Sequence, residues 1–225
     1  MASNTPSLST HRHSTRTRWL VVCVVVVLCS PTFSQSHKDE SNDLVEIVKL
    51  DSTVRIDVRY ASTNNFMKRK MYSQARVFLQ RPAAEALMRA HAKIRKAGFG
   101  LLLFDGYRPW SVTKKFWDET PPAQRKYVAN PKYGSKHNRG CAIDLSLYDL
   151  RTGKEVAMQT EYDNFTTKAA ADYPGATDAQ RRLRWILRDA MESEGFKVNP
   201  DEWWHFDYKD WRNYRVLDIP FEQLK

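Results

Sequence analysis

The chain has 225 residues, 42% hydrophobic and 12% aromatic, enough for one domain with a substantial core and too few for two of ordinary size. Its charged residues, 28% of the total, are mixed in sign, and no long polar low-complexity tract follows the N-terminal region, which excludes an extensively disordered chain. The formal net charge is +10, but the cations are scattered rather than gathered into a stripe, so nucleic acid is not the expected partner.

Residues 1–34 carry Arg12, Arg16 and Arg18, no acid, and then the apolar run Leu20 to Leu28. That layout predicts a signal peptide, cut near Ser34, with a periplasmic or secreted body and no stable membrane span after cleavage. A retained signal anchor is the alternative, although the run falls short of the roughly 20 apolar residues of a spanning helix. A lipid anchor on Cys29 is disfavoured by Leu28 before it. Removing the segment takes away three arginines and no acids, so +10 falls to +7, a balance suited to anionic envelope polymers. It also removes Cys23 and Cys29, leaving Cys141, which is read as a small buried side chain with no intramolecular disulfide available to it.

Residues 35–43 read as a flexible, solvated leader, and residues 44–225 as one folded domain. Val54, Ile56, Val58 and Tyr60 alternate with Arg55, Asp57 and Arg59, the period of a strand with one buried face. Pro82 opens a helix over 82–97, with Leu87, Ala90, Ile94 and Ala97 on one stripe and Gly98 at its end. The run 101–104 predicts a buried strand feeding the turn at Asp105-Gly106. A second helix is expected over 111–119, then a proline-bearing loop, then a strand in which Ile143, Leu145 and Leu147 oppose Ala142, Asp144 and Ser146. Val156 to Met158 is read as a short return strand. Thr177 and Gln180 form a capping-box pattern ahead of a helix over 178–194. The rest, through Trp203, Trp204 and Phe206, is expected to be strand plus coil. Helices and strands interleave without a regular parallel rhythm, so the fold class is α+β: a single domain with a central, largely antiparallel sheet flanked by helices.

Beyond the leader there are three histidines. His91 lies on the first helix without co-ligands and is read as packing or surface. His137 precedes Asp144 in Ser135-Lys136-His137-Asn138-Arg139-Gly140-Cys141-Ala142-Ile143-Asp144, and His205 closes Glu202-Trp203-Trp204-His205. Two imidazoles and one carboxylate suit a hydrolytic zinc site with a fourth position for water. Glu202 is then a candidate general base. Because residues three apart on a regular strand face opposite sides, Glu202 is expected on a bend or loop just before the strand bearing His205. Arg108, in the turn after the buried strand, is either an oxyanion stabiliser or half of a surface salt bridge. Trp203 and Trp204 are expected to supply core area and wall the site.

These motifs, with Tyr60-Ala61-Ser62-Thr63-Asn64-Asn65-Phe66 and Asp105-Gly106-Tyr107-Arg108-Pro109, resemble the zinc D-alanyl-D-alanine dipeptidases of the VanX type, from about Leu44 to about Tyr214. The resemblance implies a Hedgehog/D,D-peptidase-like fold and one Zn2+ on His137, Asp144 and His205. It further implies Glu202 as base and proton shuttle, Arg108 as transition-state stabiliser, and D-Ala-D-Ala or a related small wall peptide as substrate. Ser135 and Asp163 are implied as substrate-binding residues, Asp163 for the free ammonium; locally, Asp163 reads equally as a helix start. The export signal departs from the family's cytoplasmic members and points to wall-peptide turnover. Rival readings are a D,D- or L,D-carboxypeptidase acting on longer wall peptides, a mononuclear iron oxygenase, and a non-catalytic envelope-binding module. The gap between His137 and Asp144 and the presence of Glu202 fit the oxygenase poorly.

Overall fold

A computed structural model describes residues 1–3 and 42–225. The expected signal segment beyond residue 3 and nearly all of the leader lie outside the described residues. Residues 1–36 and 37–225 form separate units, and the fold described here belongs to the second. The domain starts a little before Leu44: the Asp43 N–H donates to Gln80 Oε1 (3.0 Å), and its carbonyl accepts from the Arg81 N–H (2.9 Å).

The elements run β1 (Leu44–Glu46), α1 (Ile47–Leu50), β2 (Arg55–Ile56), β3 (Phe78–Gln80), α2 (Arg81–Lys96), β4 (Phe99–Asp105), α3 (Trp110–Glu119), β5 (Ala142–Asp149), α4 (Asp178–Glu192), β6 (Phe196–Asn199) and β7 (Glu202–Tyr208), with short 3-10 turns between several of them. Five strands form the main sheet in the order β2-β4-β5-β7-β6, and β1 pairs with β3 in a two-stranded sheet. Within the main sheet only the β2–β4 pair is parallel, so the α+β, largely antiparallel expectation holds. Helices α2 and α4 pack on one another, α2 also on β4 and α4 on β6.

Both long helices follow from their sequences. Pro82 lies in the first turn of α2, and Ala83, Leu87, Ala90 and Ile94 form its buried stripe. Helix α4 carries the predicted capping box, the Thr177 hydroxyl accepting from the Gln180 N–H while Gln180 Oε1 accepts from the Thr177 N–H. His91 is fully buried on α2, its Nδ1 3.3 Å from Asp51 Oδ2. Cys141, Trp203 and Trp204 are buried as expected.

Two expected strands are not formed as read. Over 54–60 only Arg55 and Ile56 pair with β4, and Ile56 is exposed. Arg59 turns inward over the Phe104 ring and bonds Asp57 (2.6 Å), and the chain closes a 3-10 turn that sends Tyr60 into the core. Tertiary demands on Arg59 and Tyr60 override the local alternation. Residues 156–158 form no strand: one bridge links Tyr148 with Glu155, and the Val156 N–H donates to the Leu147 carbonyl (3.0 Å).

Strand β5 is central and buried on both faces. Its Ile143, Leu145 and Leu147 side belongs to the core, and its Asp144 side faces a cavity. A register shift between Leu103 and Asp105 brings Asp105 opposite Asp144. On the other flank Asp144 pairs directly with His205.

Candidate metal centre and substrate cleft

His137 stands in a 3-10 turn, His137–Arg139, that leads into β5. Gly140 ends the turn in the left-handed region, at φ 66°. A Cβ there would lie 2.5 Å from Leu44 Cδ2 and 3.2 Å from the Gln80 backbone nitrogen, so both the dihedral and the space favour glycine. The His137 carbonyl accepts from the Arg108 N–H (3.1 Å), and the fully buried Asn138 donates to the Arg108 carbonyl and Thr113 Oγ1 (2.8 Å each). The two motif segments are thereby locked together.

Each of the three candidate ligands has one atom committed elsewhere. His137 Nδ1 lies 2.7 Å from the Gly106 carbonyl, which can only accept, so Nδ1 carries the proton and Nε2 keeps its lone pair. His205 Nε2 lies 2.9 Å from Asp207 Oδ1, and the Tyr162 hydroxyl donates to Asp144 Oδ2 (2.8 Å). What remains is His137 Nε2, His205 Nδ1 and Asp144 Oδ1. His205 Nδ1 is 2.9 Å from Asp144 Oδ1 and 3.2 Å from His137 Nε2, and His137 Nε2 is 3.4 Å from Asp144 Oδ1. Tetrahedral ligands at about 2.0–2.1 Å from Zn2+ sit about 3.3 Å apart, so this donor set fits that ion.

The electrostatics agree. Burial would lower the His205 imidazolium, but hydrogen bonds to Asp144 and Asp207 push it up to about 10. Burial would likewise raise Asp144, yet His137 and His205 hold it well below the usual carboxylate range. The cluster therefore favours a positive charge at its centre, which a divalent cation supplies with release of a proton.

Glu202 is not on a bend before the strand but is the first residue of β7. The register with β6 jumps from Val198↔Phe206 to Asn199↔Glu202, so residues 203–205 bulge out of the ladder. That irregularity breaks the alternation and lets Glu202 and His205 face one cavity, with Glu202 Oε2 3.8 Å from His205 Nδ1. Asn199 Nδ2 donates to the same oxygen (2.9 Å), and burial pushes the Glu202 carboxyl up.

Arg108 is no surface salt bridge. It is 8% exposed, and its Nε and Nη2 donate to Asp105 Oδ2 at 3.0 and 2.7 Å. Burial works against its charge, but Asp105 keeps it protonated well beyond the usual range. The guanidinium lies 4.9 Å from the Phe116 ring centre and 4.0 Å from Asp144 Oδ2.

Asp163 is not a helix start. It sits in a turn at φ 57°, a strained conformation for a non-glycine residue, and lines the same cavity. Tyr60 donates to its Oδ1 (3.1 Å), whereas Oδ2 is sealed from solvent without a hydrogen-bond partner. Burial, then the Asp144 charge, push the carboxyl up to about 8. Ser135 lines the cavity as well, its Oγ accepting from the Asn138 N–H (3.1 Å). All seven residues singled out in the sequence thus border one cavity of about 540 Å³. Sequence reasoning missed Asp105, Tyr162 and Asp207, which hold those residues in place. Asp207 was within reach, since it lies two positions after His205 and so on the same strand face.

Residues 40–221 match the family model described as D-ala-D-ala dipeptidase. The chain is 31% identical over 182 residues to the D-alanyl-D-alanine dipeptidase of Escherichia coli K12, covering 81% of this chain and 93% of that one. It is 33% identical over 186 residues to the enzyme of that name from Enterococcus faecalis V583 (75% and 88% covered) and 36% identical over 180 residues to that of Enterococcus faecium (70% and 87% covered).

Proposed function

The chain belongs to the D-ala-D-ala dipeptidase family of metallopeptidases, and we propose that it hydrolyses D-alanyl-D-alanine to D-alanine with one Zn2+ held by His137, Asp144 and His205. The observation that carries the metal assignment is the convergence of His137 Nε2, His205 Nδ1 and Asp144 Oδ1 at 2.9–3.4 Å from one another, with the opposite atom of each committed elsewhere. Zn2+ held there would supply a lowered pKa for the attacking water and polarisation of the scissile carbonyl.

The chain's own residues divide the remaining work. Glu202, beside the donor cluster and raised by burial, accepts the proton of the attacking water and returns it to the leaving amine. Arg108, fixed by Asp105, offers a permanent cation to the oxyanion. Asp163, which lines the cavity with only one of its carboxylate oxygens bonded, suits the substrate's free ammonium, and the Ser135 hydroxyl has a hydrogen to donate to substrate.

A cavity of about 540 Å³ lies within the range that takes drug-sized ligands, larger than two alanines, which favours a second reading: a carboxypeptidase for longer wall peptides. The test is D-alanine release from D-Ala-D-Ala, L-Ala-L-Ala and a wall pentapeptide, with and without Zn2+. The expected result is Zn2+-dependent cleavage of D-Ala-D-Ala alone. Cleavage of the pentapeptide instead moves the protein to the second reading, and no cleavage of any substrate rejects both.

Export to the periplasm or medium is part of the proposal, supported by Arg12, Arg16 and Arg18 ahead of the apolar run 20–28. No helix among the described residues is long and apolar enough to cross a membrane. An exported enzyme would recover D-alanine from dipeptides released in wall turnover. Finding the chain only in the cytoplasmic fraction sinks this part.

A further inference from the structure

His137 and His205 come from different elements, a 3-10 turn and a strand, and the lysine between Ser135 and His137 touches both. The Lys136 carbonyl accepts from the Arg139 N–H (3.1 Å) and the Cys141 N–H (3.0 Å), closing the turn that carries His137. Its side chain reaches β7, where Nζ lies 2.9 Å from Asp207 Oδ2. The other oxygen of that carboxylate, Oδ1, is 2.9 Å from His205 Nε2. Asp207 is paired across the sheet with Ala142, a side chain small enough to leave the carboxylate room beside His205.

We propose that Asp207 and Lys136 are positioning residues for the metal site: Asp207 holds the proton on His205 Nε2, so that Nδ1 is the nitrogen presented to the metal, and Lys136 straps that carboxylate to the turn bearing His137. Two physical consequences follow. A carboxylate on the far side of an imidazole strengthens its donor nitrogen and fixes the ring plane. An ammonium on the second oxygen holds the carboxylate in one orientation and offsets its burial. The strap also sets the spacing of the two imidazoles, because movement of the His137 turn pulls on the carboxylate that orients His205.

The proposal rests on the metal-binding part of the reading above but not on the substrate, so it is tested by metal affinity and not by turnover. Zn2+ affinity of the metal-stripped protein is measured against a competing chelator, with the visible spectrum of the Co2+-loaded protein as a second readout. Asp207→Ala is expected to weaken Zn2+ binding about 10–100-fold and to alter the Co2+ bands. Asp207→Asn keeps an acceptor for the His205 N–H and loses the charge, so its loss is expected to be smaller. Lys136→Ala is expected to weaken binding by less than Asp207→Ala, with Lys136→Arg restoring part of it. If Asp207→Ala does not fold, by melting of the metal-free protein, Asp207→Asn decides. Zn2+ affinities within twofold of the parent, with unchanged Co2+ spectra, overturn the proposal. A parent protein that binds Zn2+ tightly yet cleaves no D-Ala-D-Ala rejects the substrate reading and leaves this inference standing.

Discussion

The two walls of the cleft are built on opposite plans. One is sheet: Asp144 and His205 are cross-strand partners on β5 and β7, and His137 is clamped beside them by backbone bonds to Arg108 and Gly140. There each imidazole and carboxylate has one atom committed to Gly106, Asp207 or Tyr162. The other wall is loop: Tyr60, Phe66, Asp163 and Phe165 come from turns, and their rings pack edge-on or tilted at 4.8–6.2 Å from one another or from Phe116. That wall holds a residue at positive φ and a sealed carboxylate oxygen with no partner. On the sheet wall the outer atoms of the candidate ligands are bonded and the inner ones converge, whereas the loop wall leaves one buried carboxylate oxygen unsatisfied.

The largest expected effects lie on the sheet wall. Glu202 borders the donor cluster without being one of its three converging atoms, so Glu202→Gln should lower kcat by about 10²–10⁴ while metal content stays at that of the parent. His205→Ala should lose both. Metal analysis alongside D-alanine release separates them, and a Glu202→Gln protein with parental kcat rejects the base assignment. Arg108→Ala should lower kcat about 10²–10³-fold. It also strands the buried Asp105 carboxylate, a loss of about 3–5 kcal/mol for a broken buried pair. Arg108→Lys should recover stability more than rate, because an ammonium cannot reproduce the two bonds to Asp105 Oδ2.

The difference between the walls also explains what could be read before the structure. The apolar alternation of Ile143, Leu145 and Leu147 isolates Asp144 on one face of β5, and the stripe of Leu87, Ala90 and Ile94 fixes α2, because burial imposes a regular period on regular elements. The bulge in β7 imposes none, so the placement of Glu202 was misread even though its role was proposed. Likewise Arg59 and Tyr60 leave the strand pattern for contacts more than 40 residues away in sequence, with Phe104 and Asp163. Asp163 was known only through the resemblance, since no local pattern marks a carboxylate buried by a loop.

On the loop wall the expected effects are smaller and differ in sign. Asp163→Asn removes the carboxylate that the bound ammonium would hold ionised, so kcat/KM for D-Ala-D-Ala should fall about 10–100-fold, as for loss of a hydrogen bond to a charged group. N-acetyl-D-Ala-D-Ala, which has no ammonium, should show a much smaller difference between the two proteins. Stability should move the other way. The folded carboxyl stands at about 8 against an ordinary 3.8, so between those values the unfolded chain has released a proton that the folded chain keeps. The contribution of Asp163 to the stability of the metal-free protein therefore declines as pH rises from about 4 to about 8, and Asp163→Asn should remove that part of the pH dependence. A metal-free Asp163→Asn protein that melts below the parent at pH 8.5 would contradict the burial of an uncompensated carboxylate.

The smallest change tests whether the sheet wall depends on backbone as well as side chains. Gly140 contributes no side chain to the chemistry, but it turns the chain from His137 into β5 at φ 66°, with Leu44 and the Gln80 backbone where a Cβ would go. Leu44 can yield because the clash is with the end of its side chain. The Gln80 nitrogen cannot, because its N–H donates to the Gly140 carbonyl (2.8 Å) and so ties β3 to this turn. Gly140→Ala should therefore cost about 1–3 kcal/mol of stability, from the left-handed dihedral and the crowding together. If the turn shifts to relieve the contact, His137 moves with it and Zn2+ affinity falls along with the melting temperature. A protein that loses stability yet keeps full Zn2+ affinity would show that the Lys136–Asp207 strap and the Arg108 and Asn138 bonds hold His137 in place without the glycine.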